Sequence, residues 1–210
     1  MVQLINKLKQ KLKDPLPGED TQYLMAPVNR ARLKELNLNE KSYRLSAVVI
    51  LLCLDENNNL FIPLTERYSY TGAHAGQVSL PGGKFDEEDV DLVHTAFREC
   101  YEEIGLNEGI ELTGLLSRLY IPVSNFMVQP VVASCNIKNV FMFPHEREVK
   151  RIIKLYIKDL LDESIVKLGE IESQPGIKLK APYFEIEGLK VWGATAMILN
   201  EFKAVLKSIY

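Results

Sequence analysis

Gly83-Lys84-Phe85-Asp86-Glu87-Glu88-Asp89, followed by Arg98-Glu99-Cys100-Tyr101-Glu102-Glu103-Ile104-Gly105-Leu106, is the stretch on which the fold turns. A tight turn at Pro81-Gly82-Gly83 precedes a helix, and that helix ends in carboxylates. Glu99, Glu102 and Glu103 stand at i, i+3 and i+4, so they share one helix face with Cβ atoms roughly 5–6 Å apart. Like charges this close repel and destabilise an isolated helix. A cation that neutralises them removes the cost, and hard divalent cations prefer carboxylate oxygens. Val90, Val93, Phe97, Cys100 and Ile104 recur at steps of three and four, which predicts a helix over residues 89–104. Asp86 or Asp89 is placed to cap its start, and Gly105 its end.

Upstream, residues 46–54 form an apolar, partly β-branched run that reads as a buried strand. Asp55-Glu56-Asn57-Asn58-Asn59 is a turn, and residues 60–65 return as a second strand, giving a hairpin. Residues 66–76, with Gly72, Ala73, Ala75 and Gly76, read as a loop, and residues 77–80 as a short strand. Downstream, residues 110–137 alternate short apolar runs with Gly114, Pro122 and Pro130, which predicts further strands. Residues 148–157 read as another strand and 158–162 as a helical turn. Residues 164–192 read as short strands broken by Gly176, Pro182 and Gly188. The last helix is predicted over 194–209, with Met197, Ile198, Phe202, Val205 and Leu206 facing inward. At the other end, Val2, Leu4, Ile5, Leu8 and Leu12 mark a short amphipathic helix that Pro15, Pro17 and Gly18 end. It lacks the aromatic anchor of a membrane-surface helix, so docking on the domain is the favoured reading. Residues 19–44 read as irregular, with a helical turn over 31–36. No repeat or linker divides the chain, so an extension over 1–40 is expected to pack on one domain over 41–210. Strands and helices mix without regular βαβ alternation, which argues for an α+β domain with a sheet covered by helices.

Composition excludes several classes. The 210 residues are 47% hydrophobic and 25% charged, as in an ordinary soluble domain with a sizeable core. A net charge of −3 provides no general attraction to nucleic acid. Cys53, Cys100 and Cys135 are odd in number and far apart, which speaks against a disulfide framework or a zinc site. Reduced, buried thiols fit a cytoplasmic protein. Lysines interrupt the apolar residues of the N-terminus, unlike a signal-peptide core. The longest apolar run, 47–54, is too short to span a bilayer.

The segment from Gly82 to Leu106 resembles the Nudix box, G-x5-E-x7-R-E-U-x-E-E-x-G-U, where U is bulky and apolar. The second half matches throughout, with Cys100 at the first apolar position. In the first half Asp89 holds the acidic position, and one extra residue precedes Arg98. Both departures resemble the coenzyme A pyrophosphatases within the family. Leu64-Thr65-Glu66-Arg67, His74-Ala75-Gly76-Gln77-Val78-Ser79-Leu80-Pro81-Gly82-Gly83-Lys84 and Val191-Trp192-Gly193-Ala194-Thr195-Ala196 are similar to that group's flanking segments. Tyr68 stands where the group has serine, and Thr71-Gly72 where leucine and arginine are usual. The resemblance covers about residues 46–205.

This resemblance implies an α/β/α sandwich with a mixed central sheet flanked by helices. It implies hydrolysis of the pyrophosphate bond of a nucleotide-derived small molecule with Mg²⁺ or Mn²⁺ bound. It makes Glu99 and Glu103 the metal ligands, with Glu102 supporting them or holding a second ion. Arg98 is expected to hold a box carboxylate in orientation. Glu148 is the preferred general base, from the Glu148-Val149 step, and Glu102 the alternative. Arg67, His74 and Gln77 are expected on the substrate side, although His74 reads equally as a structural loop residue. Gly82 and Gly83 allow close backbone approach to the phosphates. Lys84 reaches either a phosphate oxygen or solvent. Family members are often dimers, so a homodimer is expected.

Overall fold

The computed structural model describes residues 1–28, 30, 32, 43–68, 77–138, 140–174 and 176–210. Helix α1 (Val2–Lys11), the short helix α2 (Glu19–Gln22) and a 3₁₀ turn at Tyr23–Met25 come first. Strands β1 (Arg44–Leu54), β2 (Leu60–Arg67), β3 (Val78–Ser79) and β4 (Gly82–Lys84) lead into helix α3 (Leu92–Ile104). Strands β5 (Ile110–Leu115), β6 (Leu119–Ile121), β7 (Phe126–Cys135) and β8 (Val149–Tyr156) follow, then helix α4 (Ile157–Leu161). The chain ends in β9 (Val166–Gln174), β10 (Ile177–Ile186), β11 (Leu189–Val191) and helix α5 (Gly193–Lys207). The helical turn expected over 31–36 lies outside the described residues, apart from residue 32.

Among the described residues the main sheet is mixed, in the order β3-β2-β1-β7-β5, with β4 beside β1, β6 beside β7 and β8 beside β2. Strands β1 and β7 run parallel, with Arg44 opposite Phe126 and Leu52 opposite Ser134. Side chains alternate along β1, and each face takes its own helix. Ile50 and Leu52 pack with Met197 and Phe202 of α5. Val49, Leu51 and Cys53 pack with Ala96, Cys100 and Ile104 of α3. Each large apolar side chain so buried contributes about 1.5–3 kcal/mol. The three layers are those the Nudix resemblance implies, and the three cysteines are buried free thiols.

Three expectations need correction. The hairpin of β1 and β2 is only two residue pairs long, Cys53 with Phe61 and Leu54 with Leu60. Beyond them the strands part, and residues 80–84 enter the fork. The Val49 amide donates to the Pro81 carbonyl at 2.9 Å, and Ala47 and Val48 pair with Gly83 and Gly82. Gly82 and Gly83 are therefore strand residues rather than a turn. A Cβ on Gly82 would lie 2.3 Å from the Ala47 carbonyl oxygen and 2.6 Å from the Val48 Cα. Only glycine lets the two backbones come this close.

Pro130 does not break the sheet; it lies inside β7. Its missing N–H falls where β5 ends, opposite Val131, and before β6 begins, opposite Val128. There no ladder donor is needed. Residues 164–192 form one antiparallel sheet, β11-β10-β9, with two long strands instead of several short ones.

Helix α1 docks on the domain through buried Ile5 and Leu8, and Leu12 fills the space that a side chain at Gly114 would need. The following segment is tied down by Glu201 of α5, which is fully buried. Its carboxylate accepts from Gln22 Nε2 at 2.8 Å, Gly18 N at 3.1 Å and Ser117 N at 3.2 Å. No helix among the described residues is long and apolar enough to cross a membrane.

Candidate active site

Helix α3 begins at Leu92, later than the apolar spacing predicts, and its cap is Asp91, which accepts from the His94 amide at 2.8 Å. Val90 lies before the helix and is 86% exposed. Asp89 is not a cap because its carboxylate is committed elsewhere. It is buried and takes Arg98 in a two-point contact, Nε to Oδ1 at 2.9 Å and Nη2 to Oδ2 at 3.0 Å. Thr95 Oγ1 at 2.8 Å and the Asp86 amide at 3.0 Å complete the cradle, with His94 Nδ1 2.9 Å away. The Arg98 guanidinium, aided by these donors, holds the Asp89 carboxyl well below the usual carboxylate range. Gly105 closes the helix in the left-handed conformation, as expected.

Arg98 then distributes its remaining donors over the box. Nη1 reaches Glu99 at 2.9 Å and Glu102 at 3.3 Å, and Nη2 reaches the Lys84 carbonyl at 3.0 Å. Asp89 thus fixes Arg98, and Arg98 fixes Glu99 against β4. A Cβ on Gly83 would fall 2.3–2.4 Å from the Glu99 carboxylate. The glycine is the seat of that side chain. Burial, with Glu102 and Glu148 nearby, raises the Glu99 carboxyl above its ordinary value despite Arg98.

Glu103 is buried, and Arg67 Nη2 donates to its Oε1 at 2.5 Å. Burial pushes its carboxyl up to about 7, against the pull of Arg67 and with the repulsion of Glu99 and Glu148. Glu102 faces outward and is 54% exposed on its side chain. Glu148 is in an exposed turn just before β8, one residue outside the strand predicted to include it. Two backbone bonds fix that region to the end of α3: Phe143 N to Ile104 O at 2.9 Å and His145 N to Glu103 O at 3.0 Å. They satisfy helix-end carbonyls, and they bring Glu148 close enough to act on both Glu99 and Glu103.

A cavity of about 530 Å³ opens beside this cluster. Arg67, Gln77, Gly82, Gly83 and Lys84 line one end, so these predicted substrate-side residues converge. His74 lies outside the described residues. Arg30 and Phe126 line the cavity too, beside β6, and the sequence did not single them out; Trp192, from the closing segment quoted above, also faces it. Phe126 sits there because β7 runs parallel to β1, a long-range pairing with no local signal.

Among the described residues, no three His, Cys, Asp or Glu side chains stand together as a ready-made metal cage. Arg67 and Arg98 each hold carboxylates that a cage would use. The donor set nonetheless suits a hard cation. Glu99 and Glu103 are oxygen donors whose burial and mutual repulsion raise their affinity for positive charge. Such sites commonly leave coordination positions to water and substrate.

A NUDIX domain model matches residues 43–172, and the chain belongs to the Nudix hydrolase family, whose members generally use divalent metals. Among relatives, it is similar to Nudix hydrolase 15, mitochondrial, of Arabidopsis thaliana, 33% identical over 159 residues, covering 73% of this chain and 55% of that protein. Human mitochondrial coenzyme A diphosphatase NUDT8 is 33% identical over 155 residues, covering 73% of this chain and 65% of its own length. The chain therefore spans between about half and two thirds of these two relatives. An uncharacterized Nudix hydrolase NudL of Yersinia pestis is 30% identical over 190 residues, covering 85% and 92%. In fold, a Nudix hydrolase from M. smegmatis, RenU, aligns with a TM-score of 0.51 at 15% identity, over 89% of this chain and 95% of that one. A MutT/nudix family protein from Enterococcus faecalis aligns at 0.52 and 18% identity, over 90% and 74%.

Proposed function

We propose that this protein hydrolyses the pyrophosphate bond of coenzyme A or acyl-coenzyme A, giving 3′,5′-ADP and 4′-phosphopantetheine or its acyl form. The observation that carries the reading is the cavity itself, which sets apolar walls, Leu80, Leu179 and Trp192, beside the Gly82-Gly83-Lys84 strand. A nucleotide joined to a long, largely uncharged arm matches such a space.

Glu99 and Glu103 would hold the divalent cation, Mg²⁺ or Mn²⁺, with Glu102 supporting them. When bound, the ion neutralises charge on the pyrophosphate oxygens and lowers the pKa of the attacking water. Arg98 keeps Glu99 in place over Gly83. Glu148 takes the proton from the attacking water, with Glu102 as the alternative base. Lys84 and Arg67 offer positive charge to the phosphates, and the Gln77 carbonyl accepts from the Arg67 amide at 3.0 Å, which ties the end of β2 to β3. Three buried free thiols suit a reducing compartment, which supports the cytoplasm as the place of action.

A second reading, hydrolysis of ADP-ribose or NADH, is favoured by Tyr68 and Thr71-Gly72 where the coenzyme A group differs. Incubation with coenzyme A, NADH and ADP-ribose in Mg²⁺ or Mn²⁺ separates the two. The expected order puts coenzyme A first in kcat/KM; far better turnover of ADP-ribose overturns it. Glu103→Gln is expected to lower kcat by roughly 10²-fold or more, and undiminished hydrolysis removes Glu103 from the ligand set.

A further inference from the structure

We propose that Arg30 is a specificity residue that reads a phosphate monoester at the end of the cavity remote from the box. The proposal rests on the coenzyme A reading, because coenzyme A carries such a group on its ribose and ADP-ribose and NADH do not.

Among the described residues the cavity is lined by the cations Arg30, Arg67 and Lys84 and by no carboxylate, in a chain whose net charge is −3. Two of the cations belong to the box end: Arg67 contacts Glu103, and Lys84 follows Gly83 on β4. Arg30 does not. Its Nη2 donates to the Tyr120 carbonyl at 2.5 Å, on β6. From β4 the sheet steps to β1, then β7, then β6. Three strand spacings of about 4.8 Å put β6 about 14 Å from β4. One pyrophosphate at the box cannot use both ends, so the far cation is available for a separate anionic group.

The guanidinium is also prepared for that task. The Tyr23 ring lies 6.0 Å from its central carbon, an orientation in which an aromatic face steadies a cation. Its Nε is buried without an acceptor, and no carboxylate pairs with it among the described residues. A planar, always charged fork that no described carboxylate pairs is well matched to the oxygens of a phosphate monoester. Its position in the chain explains why it escaped sequence reasoning. It lies outside the box, in a polar segment without periodicity, and only the fold brings it to the cavity wall.

The test uses the full chain without metal, titrated calorimetrically with adenosine 3′,5′-bisphosphate and with AMP. The wild type is expected to bind the bisphosphate about tenfold or more tightly than AMP, the scale of a charge-assisted contact. Arg30→Gln is expected to lose that advantage and leave AMP binding unchanged, while Arg30→Lys keeps most of it. In turnover, Arg30→Gln should raise KM for coenzyme A with kcat retained, and leave 3′-dephospho-coenzyme A unaffected. Equal binding of the two nucleotides by the wild type, or an equal loss for both in Arg30→Gln and Arg30→Lys, overturns the assignment and makes Arg30 a support for the Tyr120 wall. Hydrolysis of ADP-ribose but of neither coenzyme form by the wild type overturns the coenzyme A reading itself, and the Arg30 assignment with it. That outcome differs from a defect confined to the variants.

Discussion

Replacing Gly83 by alanine separates the geometry of the site from the stability of the fold. The added methyl carbon would lie 2.3–2.4 Å from the Glu99 carboxylate, whereas carbon and oxygen ordinarily approach to about 3.3 Å. The carboxylate must therefore retreat by about 1 Å. No backbone atom is among the nearest contacts; the obstacle is the end of a flexible side chain. Relief should cost the fold about 1 kcal/mol, a fall in Tm of roughly 2–4 °C for a chain of this size. The site should suffer more, since a displacement near 1 Å can cost about 10²-fold in rate. Hydrolysis followed by chromatography of the products, beside a thermal melt by circular dichroism, measures both. Glu99→Asp supplies the coupling, because a shorter carboxylate no longer meets the new methyl. In the Gly83→Ala background, adding Glu99→Asp should cause no further loss, although Glu99→Asp alone is harmful. Activity within about threefold of wild type in Gly83→Ala, far short of the loss such a displacement brings, would refute the idea that this glycine seats Glu99. A chain unfolded at 25 °C would refute it in another way, by showing that the backbone needs the glycine.

Gly82→Ala should strike the fold harder, since its Cβ would meet the Ala47 carbonyl and Val48 Cα of β1 at a φ of +156°. We expect a loss of about 2–5 kcal/mol in a urea melt, well above that of Gly83→Ala. Asp89→Asn removes the anchor of Arg98 and should cost about 1.5–3 kcal/mol and slow turnover through misplaced Glu99. Because the folded Asp89 carboxyl is held low, its contribution is complete above the unfolded value of about 4 and is lost as pH falls below it. The Tm gap between wild type and Asp89→Asn should therefore be constant near neutrality and close in acid; a gap that widens in acid contradicts the assigned sign. Glu201→Ala leaves the half-buried Gly18 and Ser117 amides without that acceptor, while Gln22 Nε2 keeps the Ser117 carbonyl at 3.1 Å. It should lose about 2–4 kcal/mol in the same melt, and a loss below about 1 kcal/mol would show that the extension is not anchored there.

Much of the site was legible because its chemistry is local. Glu99, Glu102 and Glu103 share a helix face by spacing alone, and the Gly105 cap was readable in the same way. The start of α3 was not. Asp86, Asp89 and Asp91 are all plausible caps by residue type, and the choice falls to Asp91 only because Arg98, nine residues beyond Asp89, takes that carboxylate. The glycine pair likewise reads as a turn until β1 is seen beside it. Its strand character comes from a partner far back in the chain. Pro130 gave the same kind of error, since a break signal is silent where no ladder bond is missing. The wall bearing Arg30 and Phe126 depends wholly on long-range pairing, and no window of sequence contains it.

The parallel pairing of β1 with β7 also sets an order of assembly. Everything between the two strands, the box helix included, must be synthesised before β1 can acquire that neighbour. Until residue 135 has left the ribosome, the apolar run Val49–Cys53 has one unpaired edge, and Glu99 and Glu103 sit on a helix with an incomplete floor. Long-range strand pairing is slow to form and exposes sticky edges meanwhile. A nascent or truncated chain ending before β7 should therefore depend on chaperones. The strand that completes the sheet beneath the box helix is therefore made after the carboxylates it supports.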